Sequence, residues 1–279
     1  MGSRSEGFFV GFNETKLYFQ TWKPDGPSRG LIIITHGHGE HSESYIRLAD
    51  ALKNEWTLLA WDLRGHGRSE GQRGYAKSFL DYVRDFEMLW NQVLPTARMP
   101  GQPVIFFSHS MGALIQLKAL GGLLGGEEQI QILSSPFLGL SMPVPAIKDR
   151  ASYVLRYLMP HLTLDNEIDF NKLTRDPNVV AQFEKDSLRH SKISAEVYLG
   201  GQECQASVLA RPEIWEGPLC MLLAENDPVV STPINLKFYE SLTDPKKQLT
   251  VFPDRCHELV NDLGREEVFA KIRDFLRPF

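Results

Sequence analysis

The residues best placed to do chemistry lie around a serine. Val104–Ser108 is an apolar run, His109 and Ser110 follow it, and Met111–Leu120 carries the apolar spacing of a helix. A strand that turns sharply into a helix at a serine is a nucleophile elbow, whose usual pattern is Gly-x-Ser-x-Gly. The sharpness calls for small side chains two residues to either side, here Ser108 and Gly112. It would present the Ser110 hydroxyl at a helix N-terminus, where backbone N–H groups and the helix dipole favour a developing oxyanion. The alternative is an N-cap serine without chemistry.

A serine hydroxyl needs a base, and the base needs an orienting carboxylate. Of eight histidines, His257 stands alone after the last apolar run, Gln248–Phe252. His161 and His190 fall in an irregular stretch and are expected at its surface. His109 adjoins Ser110 but should point away from it, and His66 sits in a Gly-flanked loop with a structural role. Asp227 follows the run Leu219–Ala224, with Glu225 and Asp254 as weaker rivals. Two amides would complete the site: Met111 N–H, and His38 N–H from the Gly-rich loop His36–His41.

That same loop supports a rival. His36-x-His38-x-Glu40-His41 resembles the His-x-His-x-Asp-His pattern of dinuclear metallo-β-lactamase-fold hydrolases, which would make His36, His38 and His41 zinc ligands. It leaves the elbow, Asp227 and His257 without a role.

These residues require a scaffold of strands and helices. Apolar or alternating runs occur at Phe8–Val10, Lys16–Trp22, Leu31–Thr35, Thr57–Asp62, Val104–Ser108, Gln129–Ser134, Leu219–Ala224 and Gln248–Phe252. The first two read as a hairpin about Asn13 and Glu14. Residues 79–94 repeat apolar side chains at helical spacing behind a cap at Ser78 and Asp81, and Val268–Leu276 is also helical. Apolar strands alternating with helices imply a mostly parallel sheet covered on both faces. The alternation stops at about residue 141. Residues 141–212 are Pro-punctuated and helix-leaning with no convincing strand, which suggests an insertion over the sheet. Within it, Ala146–Met159 mixes apolar and basic residues and reads either as a satellite layer glued to the core or as a lipid-facing lid.

Composition narrows the classes. The chain has 279 residues, 42% of them hydrophobic and 23% charged, enough for a self-sufficient core. A net charge of −5 argues against nucleic acid as a partner. Cys204, Cys220 and Cys256 are too few and scattered for a disulfide framework, so a reducing, cytoplasmic setting is expected. No run reaches the roughly 18 apolar residues of a membrane span, and Met1–Gly7 lacks the apolar core of a secretory leader.

Together these residues resemble the α/β-hydrolase superfamily, and within it the monoacylglycerol lipase and lysophospholipase group. The resemblance covers nearly the whole chain. It rests on His36-Gly-His-Gly-Glu-His41, Asp62-Leu-Arg-Gly-His-Gly-Arg-Ser-Glu-Gly71, His109-Ser-Met-Gly112, the Ser110–Asp227–His257 order and the segment Leu162–Ala195. It implies an eight-stranded α/β-hydrolase core over 1–140 and 213–279 with a helical cap over 141–212. It places the nucleophile at Ser110, the acid at Asp227, the base at His257 and the oxyanion donors at His38 and Met111. Ser108 replaces the elbow's first Gly, Ala113 stands where a second Gly is common, and His38 replaces a smaller residue.

The implied activity is serine-dependent hydrolysis of a single-chain lipid ester without metal or organic cofactor. Ile147, Val154, Leu158 and Leu162 are expected to line an acyl channel beneath the cap, which would touch a membrane or micelle surface transiently. A serine peptidase or amidase on the same fold is the alternative. Ser110 speaks against an epoxide hydrolase or dehalogenase, which needs a carboxylate at the elbow, and the intact set speaks against a binding module that has lost its chemistry.

Overall fold

The computed structural model describes residues 3–123, 129–215 and 217–279. Its strands are β1 (Ser3–Val10), β2 (Lys16–Lys23), β3 (Leu31–Thr35), β4 (Thr57–Trp61), β5 (Val104–His109), β6 (Ile130–Ser134), β7 (Thr163–Asp165), β8 (Lys192–Ser194), β9 (Leu219–Ala224) and β10 (Gln248–Phe252). Its helices are α1 (Ile46–Leu52), α2 (Leu80–Gln92), α3 (Leu94–Ala97), α4 (Met111–Leu123), α5 (Ala146–Leu158), α6 (Pro177–Lys185), α7 (Ala195–Leu209), α8 (Thr232–Ser241) and α9 (Arg265–Leu276).

Eight strands form one sheet in the order β1-β2-β4-β3-β5-β6-β9-β10, antiparallel at β1/β2 and β2/β4 and parallel thereafter. The central strands are buried along their whole length. Alternate side chains feed two cores: Ile33 and Phe106 pack with Phe79, Phe86 and Leu114 on one face, and Ile32, Ile34 and Phe107 pack with Leu48, Phe269 and Ile272 on the other. This explains why the runs read as continuously apolar rather than alternating.

The topology dictates where a site can form. From β3 the chain moves outward to β4, then crosses back over β3 to β5. Neighbouring loops therefore diverge beyond the C-terminal ends of β3 and β5, and a crevice opens where the strand order reverses. β3 and β5 are paired with Thr35 opposite Ser108. The loop at His36–His41 and the turn at Ser110 consequently leave the sheet side by side. β9 and β10 are likewise paired, Ala224 opposite Phe252, and release Asp227 and His257 on the same edge.

The helix start expected at Ser78 is present: Ser78 Oγ accepts from Leu80 N–H at 3.3 Å and the Asp81 carboxylate accepts from Ser78 N–H at 3.2 Å. Asn13 and Glu14 both have positive φ, as a tight connection between antiparallel strands requires. One expectation is corrected. Residues 141–212 do contain strands, because β7 and β8 pair antiparallel as a separate two-stranded ladder. Each is three residues long, too short for a periodicity to register. Around them α5 packs on α7, and α7 on α4.

Candidate active site

The turn between β5 and α4 is made by Ser110 alone. Its φ of 50° lies in the left-handed region, which costs a non-glycine residue about 1–3 kcal/mol. The surroundings hold it there. Ser110 N–H donates to the Ser134 carbonyl at 3.1 Å, while the Ser110 carbonyl accepts from Ala113 N–H at 3.1 Å and Phe137 N–H at 3.0 Å. The small-residue requirement proves asymmetric. A Cβ on Gly112 would overlap the carbonyl oxygens of Thr35 and His36, whereas the Ser108 side chain is fully buried and accommodated. Serine in place of the first glycine therefore leaves the elbow intact.

Asp227 and His257 lie together at the ends of β9 and β10. Asp227 Oδ2 lies 2.8 Å from His257 Nδ1, and Asp227 Oδ1 accepts the amides of Val229 at 2.8 Å and Val230 at 3.0 Å. Burial alone would raise the Asp227 carboxyl, but the His257 charge, its ring N–H and these two amides outweigh it and hold the group below its ordinary value. Burial likewise opposes a charge on His257, yet the Asp227 charge and hydrogen bond, followed by the charges of Glu258 and Glu40, raise its pKa above 6.5. The rivals Glu225 and Asp254 are exposed.

His109 and His257 face each other with ring centroids 4.6 Å apart. This brings His257 beside the residue that precedes Ser110. Burial and then the His257 charge push His109 down to about 3, so it remains neutral, and its Nδ1 lies 3.0 Å from the Ser134 carbonyl.

The β3 loop closes the site from the other side. An added Cβ on Gly37 would come within 3.0 Å of Ser110 Cβ. Among the described residues, the amides of His38 and Met111 have no intramolecular acceptor, which leaves both N–H groups available to a ligand. The His38 imidazole takes no such position. Its ring packs edge-on against His66 and His190, with centroids 5.4 Å from each, and both ring nitrogens are shut off from solvent. Burial lowers its pKa to about 4. His190, expected at the surface, instead packs 4.5 Å from His66 in the same cluster, because β8 returns along this edge; His161 is exposed.

The metal-loop reading fails on ring direction. His36 Nε2 accepts from Leu63 N–H at 2.9 Å, His41 Nε2 lies 2.7 Å from Asp186 Oδ2, and His38 turns to His66 and His190. Among the described residues no three His, Cys, Asp or Glu side chains have a metal-binding arrangement.

The expected acyl-channel residues need a second correction. Ile147, Val154 and Leu158 face solvent, Ile147 and Leu158 with 79% and 76% of their surface exposed, and Leu162 is half-buried. Of α5 only Ser152 is buried, so the first three residues line no enclosed channel. The helix is tied to the chain from behind, by Arg156 to Glu196 and Glu203 and by Lys148 to Glu167, and its apolar residues point outward.

A parallel-sheet scaffold with a left-handed serine between strand and helix and a carboxylate–imidazole pair at the same edge is the architecture of an α/β hydrolase. The chain belongs to the family described as serine aminopeptidase, S33, which matches residues 26–264. It is 28% identical over 276 residues to a monoacylglycerol lipase of Mycolicibacterium smegmatis, covering 98% of this chain and 97% of that protein. It is 29% identical over 257 residues to phospholipase YtpA of Bacillus subtilis, covering 91% and 97%. A soluble variant of the Saccharomyces cerevisiae monoglyceride lipase, solved with a substrate analogue, superposes with a TM-score of 0.85 over 97% of this chain and 94% of that one, at 19% identity.

Proposed function

We propose that this chain hydrolyses carboxylic esters of single-chain lipids, monoacylglycerols or lysophospholipids, through an acyl-enzyme on Ser110. The observation that carries the reading is Ser110 in a left-handed turn at the start of α4, with the Asp227-bound His257 ring 4.6 Å from the ring of the preceding residue, His109. In this mechanism His257 accepts the Ser110 proton as the oxygen attacks the ester carbonyl. The His38 and Met111 amides receive the oxyanion. His257 returns the proton to the leaving alcohol, and water, activated by the same imidazole, releases the fatty acid. Asp227 stabilises the imidazolium throughout. No metal or organic cofactor takes part.

Residues 141–212 serve in this reading as a cap, and α5 as the part of it that meets a lipid surface. Exposed Ile147, Val154, Tyr157 and Leu158 beside exposed Lys148 and Arg150 give the mixture of apolar and basic side chains that suits a lipid–water boundary. The three cysteines are unpaired, which suits a reducing compartment. The family description keeps an aminopeptidase reading in view. Such an enzyme needs a free carboxylate for the substrate ammonium, whereas Asp227 is bound by His257, and Glu40 and Glu258 by Arg189.

The deciding experiment is a turnover panel of monoacylglycerols, lysophospholipids, short p-nitrophenyl esters and aminoacyl amides, run with wild type and Ser110→Ala. Ester turnover, lost on the order of 10⁶-fold in the variant, together with fluorophosphonate labelling of wild type only, is the expected result. Near-normal esterase activity in Ser110→Ala would dispose of the assignment. A preference for the amides would move it to the peptidase reading.

A further inference from the structure

The two loops on either side of Ser110 are tied together by a side chain that comes from neither. Arg189 lies between α6 and β8, within residues 141–212, and is buried. Its Nη2 donates to Glu258 Oε1 at 2.7 Å and lies 3.3 Å from Ser44 Oγ and 3.5 Å from Glu40 Oε2. The guanidinium sits 3.5 Å over the Phe183 ring of α6, which sets its position from its own side.

Both carboxylates lead directly to the site. Glu258 follows His257 in the chain, and its second oxygen accepts from Asn261 Nδ2 at 2.8 Å. Glu40 Oε1 accepts the Gly37 amide at 2.6 Å and the Tyr45 hydroxyl at 2.8 Å, so it fixes the residue immediately before His38. The same stretch of chain grips these loops at other points. His190 N–H donates to the Gly39 carbonyl at 3.0 Å, Glu258 N–H to the Leu173 carbonyl at 2.9 Å, and Asp186 pairs with His41 at 2.7 Å.

We infer that Arg189 is a positioning residue for the hydrolytic site: it binds the Glu40 and Glu258 carboxylates across the two loops and offsets their charge, so that His257 stays available as a base near neutral pH. The inference rests on the reading of His257 as that base.

The charges around His257 support it. Asp227, Glu258 and Glu40 each raise the imidazole, while the His109 ring on its other face is neutral. One guanidinium serves two buried carboxylates, which is not full compensation. Burial and then the Glu258 charge push Glu40 up to about 7, whereas Arg189, against the cost of burial, holds Glu258 below its ordinary value. Without the cation, Glu40, already pushed up, would take a proton, but His257 would face the Glu258 charge without compensation and keep its own proton to higher pH. Asp186, Tyr45 and His36 also face the guanidinium. A purely structural Arg189 would change stability and turnover without moving the imidazole's titration.

The test is the pH profile of kcat/KM on a soluble short-chain ester for the full chain, as wild type, Arg189→Met, Arg189→Lys, Glu258→Gln and the Arg189→Met/Glu258→Gln double variant. Arg189→Met should shift the acid limb up by about half to one pH unit, a three- to tenfold loss on that limb. Glu258→Gln should shift it down, the double variant should return it toward wild type, and Arg189→Lys should show only part of the upward shift because it keeps the charge but not the planar fork. An unmoved limb in Arg189→Met, or no return in the double variant, overturns the inference. If Arg189→Met does not fold, Glu258→Gln alone decides, and a limb that stays or rises overturns it. His257→Gln with near-normal activity would instead remove the underlying reading of the base, a separate outcome visible without any Arg189 variant.

Discussion

Gly112 lies directly against the Thr35 carbonyl, so that the first turn of α4 rests on the end of β3 with no side chain between them. The contact sets the distance between Ser110 and the His36–His41 loop. Gly112→Ala forces a Cβ into two backbone oxygens that have no freedom to retreat. It should destabilise the protein by about 3 kcal/mol or more and lower turnover even where the variant folds. Ser108→Gly, which restores the more usual elbow residue, removes a tolerated Cβ from a strand and should cost only about 0.5–1 kcal/mol. Chemical denaturation of both variants tests this, and equal midpoints would refute the asymmetry.

Asp227→Asn should leave the fold in place, because an amide oxygen can still accept from Val229 and Val230. It should nonetheless lower kcat by about 10⁴-fold, since the neutral amide neither stabilises the imidazolium nor fixes the useful tautomer. Circular dichroism and kcat on a soluble ester measure the two parts. A loss of less than tenfold in a folded variant would argue that Asp227 is a turn residue only.

The pH dependence follows from the same pair. His257 must be neutral to accept a proton, and its pKa is raised above 6.5. Activity should therefore fall as pH drops through a value above 6.5, and NMR titration of the imidazole should give the same value. Asp227→Asn removes the largest raising influence and should move that titration down. For stability the signs are opposite. The raised His257 contributes stability that is complete below its unfolded pKa and disappears as pH rises through the folded value. The lowered Asp227 contributes stability present above its unfolded value of 3.8, which disappears as pH falls through the folded one. Both contributions are present together between about pH 4 and 6.5, on the acid side of the activity range.

What the sequence could disclose depended on how local the determinants were. The eight sheet strands were legible because most are fully buried and therefore apolar throughout, and Ser110, Asp227 and His257 because each follows a strand within a few residues. β7 and β8 were not legible, since three residues give no period. The helicity of α5 was legible but its direction was not. An apolar stripe facing solvent has the same spacing as one facing a channel, so the sequence does not tell on which side Ile147, Val154 and Leu158 lie. Arg189 gave no signal. It sits in a polar stretch, and the carboxylates it binds are 149 and 69 residues away in sequence.

The outward face of α5 gives the last prediction. Its exposed side chains add nothing to the packed core, so Ile147→Ser/Leu158→Ser should leave the melting temperature and the turnover of a soluble short ester unchanged. Each side chain that enters a lipid surface contributes about 1–1.5 kcal/mol through removal of apolar area from water. Their joint loss should weaken binding to phosphatidylcholine vesicles containing monoacylglycerol by about thirty- to a hundred-and-fiftyfold. Turnover of the vesicle-bound substrate should fall in parallel. Flotation of protein with vesicles, set beside kcat/KM on both substrates, separates the cases. Equal losses on the soluble and vesicular substrates would point to damage at Ser110 or to the packing of α5 on α7. Unchanged flotation would mean that α5 does not meet the lipid surface.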